Sequence, residues 1–165
     1  MEPDLYYLMA QALKEAEIAF LEGEVPVGAL VSDPEGHIIA RAHNQPISLS
    51  DPTAHAEIIA MRRAGLLTRN YRLVNTILVV TVEPCLMCMG AAVNARISRL
   101  IFGTFDTKSG AAGSLYNIAE DVRLNHRIKI DTGILEEECR SLMQRFFKLR
   151  RQRGKDAAGE VPKWS

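Results

Sequence analysis

Apolar positions along this chain change period several times, and each change marks an element. From Leu5 they recur at helical spacing through Leu8, Met9, Ala12, Ala16, Ala19 and Phe20, with Asp4 as a cap and Gly23 as a stop. The spacing predicts a first helix whose other side, with Lys14, Glu15 and Glu17, is solvated. Two short strands follow, Val27–Val31 and His37–Ala42, and the turn Asp33-Pro34-Glu35-Gly36 between them suits a hairpin. His37 at the turn exit reads as exposed and inert. A loop rich in Asn, Pro, Ser and Asp runs from Asn44 to Pro52 and leads to a second helix, near Thr53 to Ala64, ended by Gly65.

The run Thr76–Val82 is apolar or β-branched throughout, which predicts a strand buried on both faces. Pro84 closes it and suits the first turn of a following helix, where its missing N–H costs nothing. Arg99–Gly103 and Ile128–Ile130 read as further strands, separated by a Gly/Ser/Ala-rich loop over Thr104–Ser114 and a polar stretch to Asn125-His126. A terminal helix is expected from about Leu135 to Arg151. Its stripe of Leu135, Cys139, Leu142, Phe146 and Leu149 makes Cys139 a core residue and leaves Phe147 off the stripe. Strands alternating with helices give an α/β architecture with helices on the sheet faces. No repeat and no second domain interrupt it, so one domain is expected over 1–155, with a flexible polar tail at 156–165.

Composition narrows the class only modestly. The 165 residues are 47% hydrophobic and 24% charged, with no apolar run of membrane-spanning length and no signal-peptide pattern. Three cysteines, two of them suited to a metal, fit a reducing cytoplasm better than a disulfide scaffold. A formal net charge of zero removes any global attraction to nucleic acid, so a basic surface must be local.

The chemistry gathers at Glu83-Pro84-Cys85-Leu86-Met87-Cys88. If a helix starts there, Cys85 and Cys88 share a face in its first turn, where dipole and free N–H groups favour thiolates. A lone Cys-x-x-Cys is ambiguous between a redox pair, core cysteines and half a metal site. His55-Ala56-Glu57 upstream resolves it, because His-x-Glu followed by Pro-Cys-x-x-Cys is the signature of zinc nucleobase deaminases. His55, Cys85 and Cys88 would give zinc three ligands, leaving a fourth position for a water whose pKa falls to about 7. Glu57, outside the metal shell, would carry protons to the ring nitrogen and the departing ammonia. Residues i and i+2 do not face each other on a helix, so spacing alone does not explain how His55 and Glu57 share a pocket; a helix pointing end-on at the metal would let both reach forward, and the motif implies such an arrangement.

Thr53-Ala-His-Ala-Glu57, Glu83-Pro-Cys-Leu-Met-Cys-Met-Gly-Ala91, Lys108-Ser-Gly-Ala-Ala-Gly-Ser114, Asn125-His-Arg127 and Phe146-Phe-Lys-Leu-Arg-Arg151 together resemble the bacterial tRNA-specific adenosine deaminases, over nearly the whole chain. The resemblance implies a cytidine deaminase-like three-layer α/β/α sandwich with a five-stranded mixed sheet. It also implies one zinc per chain, a homodimer, and conversion of adenosine to inosine at the wobble position of a tRNA anticodon stem-loop. On the substrate side Asn44 ends a strand near the site, where its amide can pair with a purine edge, and the resemblance also places it against the flipped base. Ala56 is counted with it as substrate-binding, and Phe105 and Asp106 sit in a loop that could touch RNA sugars and phosphates. The alternative for Asn44 is an asparagine shaping its own turn. Phe105 could stack on a base or anchor its loop.

Arg145, Lys148, Arg150, Arg151, Arg153 and Lys155 end the last helix, opposite Glu136, Glu137 and Glu138. Dipole compensation alone would produce that polarity. The run of basic residues past the helix favours RNA contact through Arg150 and Arg151, with Phe147 against the anticodon loop or a partner subunit. Two rival readings stand beside this one. A free-base deaminase acting on guanine or cytosine shares both motifs, but needs no phosphate grip. A zinc-stabilised, non-catalytic RNA-binding subunit would have no use for Glu57.

Overall fold

The computed structural model describes residues 1–159. Five strands form one mixed sheet: β1 (Gly28–Ser32), β2 (Ile38–His43), β3 (Ile77–Val82), β4 (Arg99–Thr104) and β5 (Lys129–Thr132), in the order β2-β1-β3-β4-β5. β1 pairs antiparallel with β2 and with β3, whereas β3, β4 and β5 run parallel. The helices are α1 (Leu5–Leu21), the one-turn α2 (Pro46–Leu49), α3 (Ala56–Thr68), α4 (Leu86–Ala95) and α5 (Glu136–Gly159).

Strand alternation sorts the core into two layers. Ile77 and Val79 of β3, with Leu30 and Ile101, face Leu8, Met9 and Ala12 of α1 and Cys139 of α5. Leu78, Val80 and Val82, with Ala29, Val31, Leu100 and Phe102, face Ile59, Ala60 and Met61 of α3 and Met89 and Ala92 of α4. This is the three-layer α/β/α sandwich that the resemblance implies. β3 is buried on every residue, as its uninterrupted apolar run requires. At Gly28 helix α1 lies directly on β1, and a Cβ there would run into the backbone of Ala12 and Ala16.

Several boundaries differ from the sequence reading. The second long helix starts at Ala56 and passes through Gly65 to Thr68. Its stop is Arg69 in the left-handed region (φ 53°), with Asn70 N–H donating to Gly65 C=O at 3.0 Å. Gly65 thus accepts the closing hydrogen bond instead of supplying the left-handed residue. Pro84 lies before α4, not in its first turn: Cys85 is the N-cap, and Pro84 C=O accepts from Ala111 N–H at 2.8 Å. The Asn44–Pro52 loop contains the turn of α2. Leu135 stands outside α5 with φ 51°, and Leu149 is 42% exposed, whereas Cys139, Leu142 and Phe146 are buried as expected. α5 also runs past Arg151 to Gly159, since nothing from Gln152 to Ala158 breaks it except one exposed glycine. The flexible tail expected from 156 therefore begins inside a helix, and positions 160–165 lie outside the described residues.

Candidate zinc centre and its cavity

The N-terminal ends of α3 and α4 converge beside β3. His55 is the N-cap of α3 and Cys85 the N-cap of α4, both with extended backbone (ψ 151° and 176°). Neither side chain caps its own helix. His55 Nδ1 lies 3.6 Å from Cys85 Sγ and 3.6 Å from Cys88 Sγ. A tetrahedral zinc with Zn–S near 2.3 Å and Zn–N near 2.0 Å separates sulfur from nitrogen by roughly 3.5 Å. The donor set therefore fits zinc in both chemistry and spacing.

The geometry also removes the i, i+2 difficulty. His55 precedes the helix, so helical periodicity does not relate it to Glu57, and both side chains reach forward from the same end of α3. The positive ends of both helices face the cluster and favour anionic sulfur. Hydrogen bonding from Cys88, reinforced by His55, pulls the Cys85 thiol down to about 4. Cys88, sharing that bond and more deeply buried, is pushed up. His55 is raised chiefly by its hydrogen bond to Cys85. Metal binding converts such a coupled pair into two thiolates by displacing the shared proton.

Glu57 is 3% exposed, and its Oε2 is buried with no hydrogen-bond partner among the described residues. Burial pushes its carboxyl up to about 7. An unpaired buried carboxylate oxygen is costly, and it persists where a ligand or a proton is meant to meet it. Val25, Val27, Asn44, Pro46, His55, Glu57, Glu83, Cys85, Asp106, Ser109 and Met143 surround a cavity of about 240 Å³ in front of this group.

The other sequence-predicted residues fall into two sets. Asn44 and Asp106 line the cavity; Phe105, Phe147, Arg150 and Arg151 lie outside it. Asn44 Oδ1 accepts from Ala56 N–H at 2.8 Å, supplying the cap that His55 cannot. With that oxygen taken, Asn44 has N–H donors left to offer a ligand. Ala56 is completely buried, and its contribution is that backbone N–H. The Asp106 carboxylate accepts from Lys108 N–H, Ser109 N–H and the Ser109 hydroxyl, so it shapes its own turn. Phe105 is 46% exposed and sits edge-on to Phe102 at 5.1 Å, an anchored ring with a free side. Phe147 is edge-on to Phe146, and Arg150 lies over the Phe146 ring at 5.7 Å.

Met143, Ser109 and Glu83 are cavity residues the sequence reading did not single out. Glu83 had a visible signal: an acid placed directly after a fully apolar strand. Met143 had one too, since Phe147 and Arg150 follow it at i+4 and i+7 and share its side of α5.

Comparison with known proteins agrees with this geometry. Residues 2–104 match the family model for the cytidine and deoxycytidylate deaminase zinc-binding region. A tRNA-specific adenosine deaminase from Haemophilus influenzae is 46% identical over 148 residues, 90% of this chain and 86% of that protein. A solved tRNA:A34 deaminase, described as acting in A-to-I editing at the wobble position of transfer RNA, superposes with a TM-score of 0.79 at 38% identity, covering 82% of this chain and 98% of that one. The fold alone is shared with a guanine deaminase from Nitrosomonas europaea, at a TM-score of 0.77 and 20% identity over 87% of this chain and 85% of that one. The converging helix ends, the His/Cys/Cys triad and the waiting carboxylate are those of a zinc-dependent deaminase, and this chain belongs to that family, among the tRNA-specific adenosine deaminases.

Proposed function

We propose that this protein hydrolytically deaminates adenosine to inosine at the wobble position of a tRNA anticodon. The observation that carries the reading is the pairing of a three-ligand His/Cys/Cys cluster with a buried Glu57, whose Oε2 has no partner among the described residues, at the wall of one small cavity. His55, Cys85 and Cys88 hold the metal, which when bound supplies an activated water at neutral pH. Glu57 Oε2 takes one proton from the attacking water and delivers it to the adenine ring nitrogen, then takes the second from the new C6 hydroxyl and delivers it to the departing amino group, so that adenosine and water become inosine and ammonia. Its proton affinity, raised by burial to about 7, suits a group that must both accept and return. Asn44 donates N–H groups to an acceptor on the base edge, held in place by its bond to Ala56.

The cavity accommodates a single extruded base, so the remaining grip on RNA lies outside it. Met143, Phe147 and Arg150 run along one side of α5, and Arg150 stands about 10 Å farther along the axis than Met143 at 1.5 Å per residue. Phe147, Arg150 and Arg151 thus form a basic, aromatic track leading away from the cavity mouth, suited to stacking and phosphate contact. Phe105 offers its free side on the neighbouring loop. A free-base deaminase would have no use for such a track.

A second copy of the chain completes the assembly. An apolar groove of about 690 Å³ lies between α3 and α4, bordered by Met61, Leu66, Tyr71 and Ala91, with Leu66 and Tyr71 well exposed. Three free cysteines fit a reducing, cytoplasmic setting. No helix among the described residues is long and apolar enough to cross a membrane. We also take residues 1–155 as one deaminase domain.

The test is activity on an anticodon stem-loop bearing a wobble adenosine, run beside free adenine, guanine and cytosine, with sedimentation at the assay concentration. Inosine in the stem-loop from a dimeric species is expected. Conversion of guanine or cytosine with the stem-loop untouched would overturn the substrate, and full activity from a monomer would overturn the assembly.

A further inference from the structure

Glu83 follows β3 and immediately precedes the Pro84-Cys85 segment that starts α4. It is 3% exposed, and none of its hydrogen-bond partners is cationic. Four donors from one loop meet it instead. Oε1 accepts from Asp106 N–H at 3.1 Å and from the Ser114 hydroxyl. Oε2 accepts from Ala112 N–H at 3.1 Å and Ser114 N–H at 3.0 Å. Gly110 closes over the carboxylate, and a side chain there would run into it. Backbone bonds tie the same two segments together: Glu83 N–H donates to Thr104 C=O at 2.8 Å, and Ala111 N–H to Pro84 C=O at 2.8 Å. The loop wrapped around this carboxylate carries Asp106 and Ser109, which face the cavity that His55, Glu57 and Cys85 also line.

We propose that Glu83 is a positioning residue of the deamination: by gathering four donors of the 104–114 loop, it fixes the Asp106–Ser109 wall relative to the segment bearing Cys85. The inference rests on the deaminase reading for what is seated against that wall. A carboxylate is the side chain for the task because it accepts at both oxygens and donates at neither. An amide of the same shape turns one end into a donor, leaving a buried N–H without an acceptor. The wall then relaxes and the seat for the base loosens, whereas the metal ligands, carried on helix starts, stay where they are.

The experiment compares wild type, Glu83→Gln and Ser114→Ala, all zinc-loaded, on the wobble-adenosine stem-loop and on the free bases. Amide hydrogen exchange is followed in parallel. For Glu83→Gln, exchange at Asp106, Ala112 and Ser114 should rise by about tenfold or more, and KM should rise by a similar factor, as expected for one unsatisfied buried donor. Zinc content and the exchange of β3 amides should match wild type, and kcat per bound zinc should change by less than about threefold, since the loss is in seating rather than chemistry. Ser114→Ala removes one donor and keeps the carboxylate, so its KM should rise only about threefold. Should Glu83→Gln fail to fold, an unchanged KM for Ser114→Ala decides against the proposal. Loosened loop amides with KM unchanged would make Glu83 a purely structural residue, and loss of zinc would place its action on the metal; either overturns the proposal. Failure of the deaminase reading shows separately, in a wild type that converts none of the substrates, and takes the proposal down with it.

Discussion

Glu57 and Glu83 are matched in almost everything except their partners. Each is 3% exposed, and each lies two residues from a zinc ligand, Glu57 after His55 and Glu83 before Cys85. Glu83 meets four donors, while Glu57 keeps an oxygen that no described group reaches. Burying a carboxylate is expensive unless hydrogen bonds replace those lost to water. Where donors are supplied, the group becomes a rigid junction between two segments. Where they are withheld, burial raises its proton affinity to about 7, which is what the proposed proton carrier requires. The same residue type, equally hidden, is braced or left open to a proton according to what the neighbouring backbone offers.

Removing the metal erases the comparison outright. Cys85→Ala or Cys88→Ala should lose zinc and all measurable turnover, after which adding Glu57→Gln should change nothing further, as for residues that act as a unit. Cys139→Ser is the control and should keep its zinc, because that thiol is buried among α1 and sheet residues and pushed up to about 12 by burial. Metal analysis checks each variant; zinc that depended on Cys139 would contradict the assigned triad.

With zinc in place, the two glutamates should part company along different axes. Glu57→Gln should cost turnover by about 10³-fold or more, since a single group's acid–base contribution of about 10²–10⁴ is compounded over several transfers. Its stability should be equal or higher, because an unsatisfied buried charge has been removed. Glu83→Gln should instead destabilise by about 1–3 kcal/mol, the cost of stranding a buried donor. Denaturant melts and single-turnover rates on the same samples give both coordinates. Matching losses of turnover and stability in the two variants would abolish the distinction.

The smallest effect lies farthest from both. Changing Arg150, Arg151 and Arg153 to Gln should flatten the log–log salt dependence of stem-loop binding by about 2–3 units, at about 0.7–0.9 per phosphate contact. The zinc site and both glutamates should be unaffected. Equal slopes in the variant and wild type would move the RNA contact to the Thr104–Ser114 loop.

The metal triad was legible in the sequence because its residues sit in two short motifs at element boundaries. β3 was legible because a strand buried on both faces leaves an unbroken apolar run. The approach of His55 and Glu57 was legible only through the motif, which implies a helix end-on to the metal; helical spacing could not give it, because His55 is an N-cap outside the helical period. The Glu83 junction escaped for a different reason: its donors lie 23 to 31 positions away, and no local pattern encodes them. Helix ends suffered in the same manner. Gly65 looked like a stop, but the left-handed residue is Arg69, chosen by where the chain must turn back. Sheet order, with β1 antiparallel between β2 and β3, is set by pairing between segments distant in the chain, and that too is a tertiary fact.

Asn44 is a single side chain that answers to two requirements. Its oxygen caps α3 through Ala56, a contact whose loss typically costs about 1 kcal/mol, and its remaining donors are the ones proposed to meet the base. A heritable change at this position is therefore screened for folding before it is screened for substrate. Most replacements that would offer a different base a better fit also leave the start of the zinc-bearing helix uncapped, so variation survives there only if stability has first accumulated elsewhere. Phe105 and Arg150 each rest one face on another ring, Phe102 and Phe146, so packing constrains them as well, and only their free sides are left to the proposed RNA contacts.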